Sequence, residues 1–349
     1  MKKIKIKIGN VEIGAGSSIS VQSMTNTKTD DTKATLNQIE KLANEGCELI
    51  RLAVLNKNCA YALKEIVKYS PIPTIADIHF DYRLALIAMD MGINALRLNP
   101  GNIGKIEHTM RVVEAAKKTN TPIRIGVNAG SLEKDLYENK SMALEDKMIE
   151  SAKRHIKILE DLNFHLIKIS LKSSDVLTTI KAYKKMYDIT PYPLHIGLTE
   201  SGTLRGGLIK SSVAIGSLLS QGIGDTIRVS LTEDPIEEVK AGIEILKTLN
   251  LKKGGVNFIS CPTCGRTQID LISLAKEVEK RFCNIKQPIT IATMGCPVNG
   301  PKEAASADYG IAGAINEGYI FKKGQMIKKV PQKDLLNELE KIIRMDLKM

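Results

Sequence analysis

Short apolar or β-branched runs recur along the first 250 residues of the chain, and a segment of helical length follows each run. The runs have the length and composition of buried strands. They lie at residues 19–24, 49–54, 73–78, 95–99, 123–127, 166–171, 194–198 and 226–230. The chain therefore alternates strand and helix eight times.

The segments between the runs place apolar residues three and four positions apart, as at Ile39, Leu42 and Ala43, which is typical of amphipathic helices. The predicted helices lie at about 31–46, 57–69, 82–92, 105–119, 145–163, 175–188, 208–221 and 234–249. Eight strand–helix units predict an α/β protein with a parallel sheet, and the number eight favours a closed (β/α)8 TIM barrel over an open sheet. The segment Gly14-Ala15-Gly16 lacks the third glycine and the helix of a dinucleotide fingerprint. It is interpreted as a turn in an N-terminal hairpin.

The pattern changes after residue 250. Strands are predicted at 256–260 and 289–294, with a helix between them, a hairpin turning at 323–324 and a C-terminal helix. Helices and strands no longer alternate regularly, which favours a small α+β domain. We therefore expect a barrel domain at 1–252 and a second domain at 253–349, joined by a short lysine- and glycine-containing linker.

Composition bounds the class of protein. Hydrophobic residues make up 43% of the 349 residues and charged residues 26%, and Trp is absent, as in a soluble globular protein. No run approaches 18 apolar residues and the start lacks the features of a signal peptide, so we expect a cytoplasmic protein without a membrane span. Six cysteines fit a reducing compartment.

The formal net charge of +11 requires an explanation. Nucleic acid is one candidate partner for a basic protein, but aromatic residues are only 4% and the lysines are scattered instead of forming a tail. We therefore expect no nucleic acid. Most of the charge is interpreted as solvated surface, and the rest suits an anionic substrate or an acidic electron-carrier protein.

Polar residues cluster at the carboxyl ends of the predicted strands, where TIM barrels place their chemistry. Alternation puts Lys168, Ser170 and Lys172 on one face of the sixth barrel strand. The full set is Arg51, Asp77, His79, Arg97, Asn99, Asn102, Arg124, Asn128, Lys168, Ser170, Lys172, His195, Thr199, Glu200, Arg228 and Ser230. Several basic groups converging on one mouth are costly unless an anion compensates them. Loops at 100–104, 128–131 and 200–202 could add backbone N–H groups, so the pattern predicts a phosphate site.

Three cysteines stand at glycine- or proline-rich turns after predicted strands: Cys261, Cys264 and Cys296. A Cys-x-x-Cys loop and a distant third cysteine can hold a metal ion or an iron–sulfur cluster. With Cys283 as the fourth ligand the site would be a zinc ribbon, although Cys283 is better interpreted as a packing or surface residue. With the carboxylate of Glu303 it would be a cluster with one labile oxygen ligand, at which substrate could bind iron.

Seven segments together carry a specific resemblance, and they extend over essentially the whole chain. They are VQSMTNTKTDD, ADIHFDYRLAL, LRLNPGNIG, IRIGVNAGSLEKDL, GIGDTIRVSLTEDP, NFISCPTCGRTQID and MGCPVNGPKEA. The chain resembles the bacterial 4-hydroxy-3-methylbut-2-enyl diphosphate synthases of the non-mevalonate isoprenoid pathway. The family pattern departs at Pro297, where valine is usual, and at Lys302, where glycine is usual.

The resemblance implies a TIM barrel followed by a cluster domain like those of sulfite and nitrite reductases. It implies a 4Fe-4S cluster on Cys261, Cys264, Cys296 and Glu303. The implied enzyme is an iron–sulfur oxidoreductase that opens and dehydroxylates 2-C-methyl-D-erythritol 2,4-cyclodiphosphate, using two electrons from flavodoxin or ferredoxin. The implied assembly is a homodimer in which the cluster domain of one subunit closes over the barrel of the other.

The resemblance also implies roles for the residues at the barrel mouth. Family positions for diphosphate and ring contacts match Arg51, Asp77, His79, Arg97, Asn99, Arg124, Asn128, Lys172, Glu200, Arg228 and Ser230. Lys168 joins the substrate-binding set from strand alternation alone, and Glu200 is the candidate proton donor to the departing hydroxyl.

Two other classes of protein compete with this interpretation. One is a barrel aldolase or pterin-type synthase with a structural zinc domain, in which Lys168 or Lys172 would form a Schiff base. The other is a basic zinc-ribbon module that binds RNA, which would leave the polar ring without a purpose. The colour of the purified protein separates iron from zinc, and retention on a nucleic-acid column tests the second.

Overall fold

A computed structural model describes residues 2–296 and 304–349 of the chain. The chain divides into two compact units, Met1–Lys252 and Lys253–Met349. Each unit has its own hydrophobic core. In the described part of the chain no helix has the length and apolar character needed to traverse a bilayer.

The first unit is built on eight parallel strands, preceded by an antiparallel hairpin. The hairpin strands are β1 (Lys5–Ile8) and β2 (Val11–Gly14). The parallel strands are β3 (Ser20–Met24), β4 (Leu49–Ala53), β5 (Thr74–Asp77), β6 (Ala95–Arg97), β7 (Ile123–Asn128), β8 (Ile167–Lys172), β9 (His195–Ile196) and β10 (Thr226–Ile227). Their order in the sheet is β8-β7-β6-β5-β4-β3-β10-β9, and a parallel bridge between Ile169 and Leu194 connects the two edges. The prediction of a TIM barrel is confirmed.

Helices follow the parallel strands. They are α1 (Thr32–Asn44), α2 (Lys57–Tyr69), α3 (Tyr82–Asp90), α4 (Ile106–Thr119), α5 (Lys134–Glu138), α6 (Leu144–Asp161), α7 (Val176–Ile189), α8 (Leu204–Leu219) and α9 (Pro235–Thr248). Several begin where an Asp or Asn side chain accepts a backbone N–H of the first turn, as Asp31 does from Ala34 and Asp175 does from Thr178. Such caps stabilise a helix start by about 1 kcal/mol. The outer faces of the strands pack on the buried faces of these helices.

The strands β9 and β10 are shorter than the sequence predicts. Gly197, directly after β9, has φ +154°, and a Cβ atom there would lie 2.2 Å from the carbonyl oxygen of Arg228. The two backbones approach too closely at this point for a side chain, which only glycine permits. Regular pairing therefore ends at Ile196 and Ile227.

The β1–β2 hairpin fills the amino-terminal end of the barrel. Its side chains Ile6, Ile8 and Ile13 pack with residues near the starts of the barrel strands, including Leu49 and Ile75. The hairpin itself turns at residues 9–10, and Gly14 ends its second strand. The expected turn at Gly14-Ala15-Gly16 forms directly after that strand, where Ser17 N–H donates to the carbonyl of Gly14 at 2.9 Å. The polar cavity-lining residues lie at the opposite end of the barrel, where the strands have their carboxyl ends.

In its described residues, 253–296 and 304–349, the second unit has a five-stranded sheet and two α-helices. Its strands are β11 (Val256–Ser260), β12 (Ile289–Met294), β13 (Tyr309–Ala314), β14 (Glu317–Lys322) and β15 (Gln325–Pro331), in that spatial order. β11, β12 and β13 pair in parallel, and the pairs β13–β14 and β14–β15 are antiparallel. The helices are α10 (Leu271–Phe282) and α11 (Leu335–Leu347). The hairpin turns at Lys323 and Gly324, both with positive φ, as its sequence predicts.

Candidate functional site

The carboxyl ends of the barrel strands enclose a cavity of about 140 Å³. Nine residues of the predicted substrate-binding set line it: Arg51, Asp77, His79, Arg97, Arg124, Asn128, Lys172, Arg228 and Ser230. Gly126, Ser170 and Thr199 complete the lining. The cavity therefore collects side chains from strands that are far apart in sequence.

The register of β7 and β8 explains how the polar residues come together. Arg124 pairs with Lys168, Gly126 with Ser170 and Asn128 with Lys172. In-register residues of neighbouring strands point to the same face, and alternate residues along a strand share that face. The three pairs therefore form successive rows on the inner side of the barrel, with the Arg124 row deepest.

Asp77 is the anion at one side of the cavity. Its Oδ2 lies 3.5 Å from Arg51 Nε, and its Oδ1 lies 3.3 Å from Arg97 Nη1. Burial opposes ionisation of the carboxyl, but the charges of Arg51, Arg97 and Arg124 outweigh burial and lower the pKa of Asp77. The carboxylate therefore stays charged and fixes two of the arginines.

The backbone of Gly126 forms hydrogen bonds with two predicted site residues, Asn99 and Arg97. Asn99 Oδ1 accepts its N–H at 2.8 Å, and its carbonyl accepts from Asn99 Nδ2 at 2.9 Å and from Arg97 Nη2 at 3.1 Å. A Cβ atom at this position would lie 2.7 Å from Arg97 Nε. A glycine is needed because the guanidinium lies against the bare strand. The sequence pattern does not predict a role for Gly126, because that pattern consists of polar side chains and a glycine has none.

Several basic side chains of the mouth have buried nitrogen atoms that lack hydrogen-bond partners among the described residues. Arg97 Nε, Arg124 Nε and Nη1, Lys168 Nζ and Arg228 Nε are buried without a hydrogen-bond partner in the described part of the chain. Burial lowers the pKa of Arg51 to about 10 and, together with neighbouring positive charges, lowers the pKa values of Arg124, Lys168 and Lys172. Uncompensated buried cations are costly. The arrangement is therefore suited to an anion with several oxygens.

Three predicted residues lie outside the cavity lining. Lys168 is fully buried in the deepest row, paired with Arg124, and does not line the cavity. Asn99 uses both ends of its amide on Gly126. Glu200 is exposed, with a left-handed backbone at φ +54°. Left-handed non-glycine residues are uncommon and concentrate at functional sites. The roles assigned to these three residues stay predictions.

Other expected contributors have local partners. His195 is completely buried, with its Nδ1 2.8 Å from Thr226 Oγ1. The N–H of Gly101, in a loop expected to contribute donors for phosphate, donates instead to His155 Nδ1 at 3.1 Å. That backbone group is therefore engaged within the protein.

Two more residues at the mouth had no signal in the sequence. Met24 Sδ lies 3.0 Å from Arg51 Nη2 and 3.7 Å from Arg228 Nη1. Glu238 lies on a helix, with its Oε2 3.4 Å from Arg228 Nη2. Glu238 lies in α9, beyond the end of β10, whereas the sequence pattern marks only polar residues at the strand ends.

In the second unit, three predicted cysteine ligands are described. Cys261 and Cys296 follow the neighbouring strands β11 and β12, and Cys264 lies in the exposed loop after Cys261. Cys261 Sγ accepts the N–H of Gly295 at 3.2 Å. Hydrogen bonds from the backbone and then the side chain of Arg266 lower the pKa of the Cys264 thiol. Hydrogen-bonded, readily ionised thiols are the donors that iron–sulfur clusters use.

The thiols do not converge as ligands of one ion would. No group of three or more His, Cys, Asp or Glu side chains among residues 2–296 and 304–349 is arranged to bind a single metal ion. A four-iron cluster is larger than one ion, so its ligands stand farther apart than those of zinc. All six cysteines are free thiols. Glu303, the predicted fourth ligand, lies outside the described residues, as do Pro297 and Lys302.

The fold and its mouth define a TIM-barrel protein with a cavity lined by buried cationic side chains, followed by an α+β unit that carries a set of free thiols. The chain belongs to the GcpE family: residues 3–243 match the GcpE TIM-barrel domain and residues 257–345 match the GcpE protein C-terminal domain.

Close relatives share nearly the whole length of the chain. A Clostridium perfringens protein is 56% identical over 339 residues, covering 97% of both chains. A Fusobacterium nucleatum protein is 54% identical over 342 residues, covering 98% of this chain and 97% of the relative. Both are named 4-hydroxy-3-methylbut-2-en-1-yl diphosphate synthase (flavodoxin).

Solved structures resemble the barrel only in fold. Dihydropteroate synthase from Stenotrophomonas maltophilia has a TM-score of 0.53 at 14% identity, covering 70% of this chain and 97% of that one. Type I 3-dehydroquinate dehydratase from Clostridium difficile has a TM-score of 0.52 at 17% identity, covering 71% and 97%. At such identities a shared barrel does not imply a shared reaction.

Proposed function

We propose that the protein reduces 2-C-methyl-D-erythritol 2,4-cyclodiphosphate to 4-hydroxy-3-methylbut-2-enyl diphosphate. The observation that carries this proposal is the group of buried, incompletely partnered cationic side chains at the barrel mouth. The names of the relatives, which specify a diphosphate product and a flavodoxin, support it. Family membership also favours a reductase over the Schiff-base and RNA-binding alternatives.

The mouth is proposed to bind the diphosphate and to orient the ring. Arg97, Arg124 and Arg228 have guanidinium nitrogens that find no hydrogen-bond partner among the described residues. Lys172 and Ser230 lie beside them in the cavity wall. Guanidinium groups bind phosphate oxygens with two parallel hydrogen bonds. Because Asp77 already holds Arg51 and Arg97, little reorganisation is needed when the anion arrives.

The second unit is proposed to hold a 4Fe-4S cluster through Cys261, Cys264, Cys296 and Glu303. The free thiols fit this role, because Cys261 accepts a backbone N–H and Cys264 ionises readily. When bound, such a cluster supplies electrons one at a time, and an iron with a labile oxygen ligand can accept a hydroxyl.

The reaction takes up two electrons and loses water. The bond between a ring carbon and a phosphate oxygen breaks, a carbon–carbon double bond forms, and a neighbouring hydroxyl leaves after gaining a proton. Glu200 is the proposed proton donor, since it follows the end of β9 in a left-handed conformation. A carboxylic acid at hydrogen-bonding distance from the hydroxyl is sufficient for this step.

The proposal includes its partners and setting. Reduced flavodoxin is the electron donor that the names of the relatives indicate, and ferredoxin is an alternative of the same class. The basic chain would attract such acidic carriers. We also propose a homodimer, and a cytoplasmic location in which the six thiols stay reduced.

Anaerobic purification, followed by iron and sulfide analysis and an assay with the cyclic diphosphate and reduced flavodoxin, tests the proposal. We expect a brown protein with four irons per chain that forms the linear diphosphate. Arg97→Met should weaken substrate binding by about 1.5 to 3 kcal/mol, the scale of a hydrogen bond to a charged group. A colourless zinc protein, or one that borohydride traps on a lysine in the presence of a carbonyl substrate, would refute it.

A further inference from the structure

Glu238 is a buried carboxylate that the proposed reaction does not use. It lies in the first half of α9, where only 4% of its surface is exposed. Its neighbour Glu237 points outward, with 40% of its side chain exposed, and pairs with Lys240. Charged residues are rarely buried without a specific partner. The different environments of the two glutamates therefore indicate a particular task for Glu238.

Both carboxylate oxygens of Glu238 serve the segment that follows β10. Oε1 accepts the backbone N–H of Leu231 at 2.8 Å, and Oε2 lies 3.4 Å from Arg228 Nη2. Ser230, between these two residues, lines the cavity together with Arg228. One side chain from a helix thus holds both ends of a short cavity-lining segment.

Arg228 needs such an anchor because its other surroundings are cationic or weakly polar. Its Nη1 faces the sulfur of Met24 at 3.7 Å, and its Nε is buried without a partner in the described part of the chain. The positive charges of Arg228 and Arg51 act on each other across the site. Repulsion would move an unanchored Arg228 away from the cavity.

We propose that Glu238 is a positioning residue: it holds Arg228 and the 228–231 segment so that the donors of Arg228 and Ser230 face a bound diphosphate. The proposal rests on the proposed function, because it takes the mouth to be the diphosphate site. Glu238 has the same relation to Arg228 that Asp77 has to Arg51 and Arg97.

The direction of the effect separates positioning from simple charge. Removing a carboxylate makes the mouth more positive, which alone would tighten the binding of an anion. Loss of positioning would weaken that binding. For inorganic pyrophosphate, measured by calorimetry on the full-length chain, we expect Glu238→Ala to raise Kd about tenfold or more, the scale of one hydrogen bond to a charged group.

Two variants provide controls for this measurement. Glu238→Gln keeps an acceptor for the N–H of Leu231 and should restore part of the affinity. Glu237→Ala removes the adjacent exposed carboxylate and should leave Kd within about twofold of the wild type, as surface changes usually do. Circular dichroism establishes whether each variant is folded. If Glu238→Ala does not fold, Glu238→Gln still tests the proposal, because it keeps the size of the side chain and removes its charge.

A double-mutant cycle with Arg228→Met tests whether Glu238 acts through Arg228. In that background a change at Glu238 should have little further effect, because the anchored group is gone. Equal effects in both backgrounds, or tighter binding in Glu238→Ala, would overturn the inference. Arg124→Met distinguishes the two proposals. If neither Arg124→Met nor a change at Glu238 alters the Kd for pyrophosphate, the mouth is not the anion site and both the inference and the proposed function fail. If Arg124→Met weakens pyrophosphate binding but the double-mutant cycle shows no coupling between Glu238 and Arg228, only the inference about Glu238 fails.

Discussion

Gly126→Ala should damage the anion site without introducing any charge or removing any polar side chain. The new methyl carbon would lie 2.7 Å from Arg97 Nε and 3.0 Å from Nη2. An ordinary contact begins near 3.4 Å, so the guanidinium must retreat by about 0.7 Å. Its position is fixed by Asp77 at 3.3 Å and by the carbonyl of Gly126 itself at 3.1 Å. The retreat therefore breaks at least one of these contacts.

The expected cost follows from the groups involved. The displaced guanidinium loses its orientation toward the cavity, and the methyl crowds Nε, which is buried without a hydrogen-bond partner among the described residues. Loss of one hydrogen bond between charged groups costs about 1.5 to 3 kcal/mol, which corresponds to roughly a tenfold to hundredfold rise in Kd. Isothermal titration of pyrophosphate measures this rise, and circular dichroism follows the fold.

Gly216→Ala is the matched control. Gly216 lies in α8, and a Cβ atom there would meet nothing within 4 Å. The control should bind pyrophosphate like the wild type. If Gly126→Ala also binds within about twofold of the wild type, Arg97 does not contact the anion from its present position, and the assignment of the cavity is refuted.

Three further predictions concern the cysteine thiols, the proposed fourth cluster ligand Glu303 and the carboxylate of Asp77. Cys264→Ser should lose bound iron and turnover with the barrel still folded, whereas Cys283→Ser, at the exposed end of α10, should retain its iron; full iron in Cys264→Ser would defeat the ligand assignment. Glu303→Cys should keep a four-iron cluster with little turnover, because a thiolate does not leave iron readily, while Glu303→Ala should lose iron to a three-iron form; near-normal turnover in both would exclude Glu303 as a ligand of the reactive iron. The pKa of Asp77 lies below its usual 3.8, so its contribution to the free energy of unfolding is full above about pH 5 and lost as the pH falls through the folded pKa; denaturant titrations of the wild type and Asp77→Asn should converge at low pH, and a constant gap would contradict this sign.

The sequence predicts the barrel well because each strand is short and apolar and is followed by an amphipathic helix, several of which begin at an Asp or Asn cap. Alternation along β8 correctly places Lys168 and Lys172 on the same inner face as Arg124. It cannot reveal depth, and Lys168 does not line the cavity although Lys172 does. Depth depends on how far neighbouring strands are staggered, which no local pattern records.

The remaining parts of the site depend on contacts between distant segments. Gly126 matters because of the Arg97 side chain that crosses it, and Glu238 because a helix returns against the end of β10. Neither residue is unusual within its own segment. The early end of β9 likewise follows from the approach of Gly197 to the carbonyl of Arg228 on the neighbouring segment, which neither segment's own sequence records.

The hairpin of β1 and β2 has a kinetic consequence. Because Ile6, Ile8 and Ile13 fill the amino-terminal end of the barrel, a ligand bound among the arginines cannot leave by passing through the barrel. Substrate and product must exchange through the same opening, and a retained diphosphate prevents the next molecule from entering. The linear diphosphate should therefore compete with the cyclic one in steady-state kinetics, and its release becomes a step that can limit turnover.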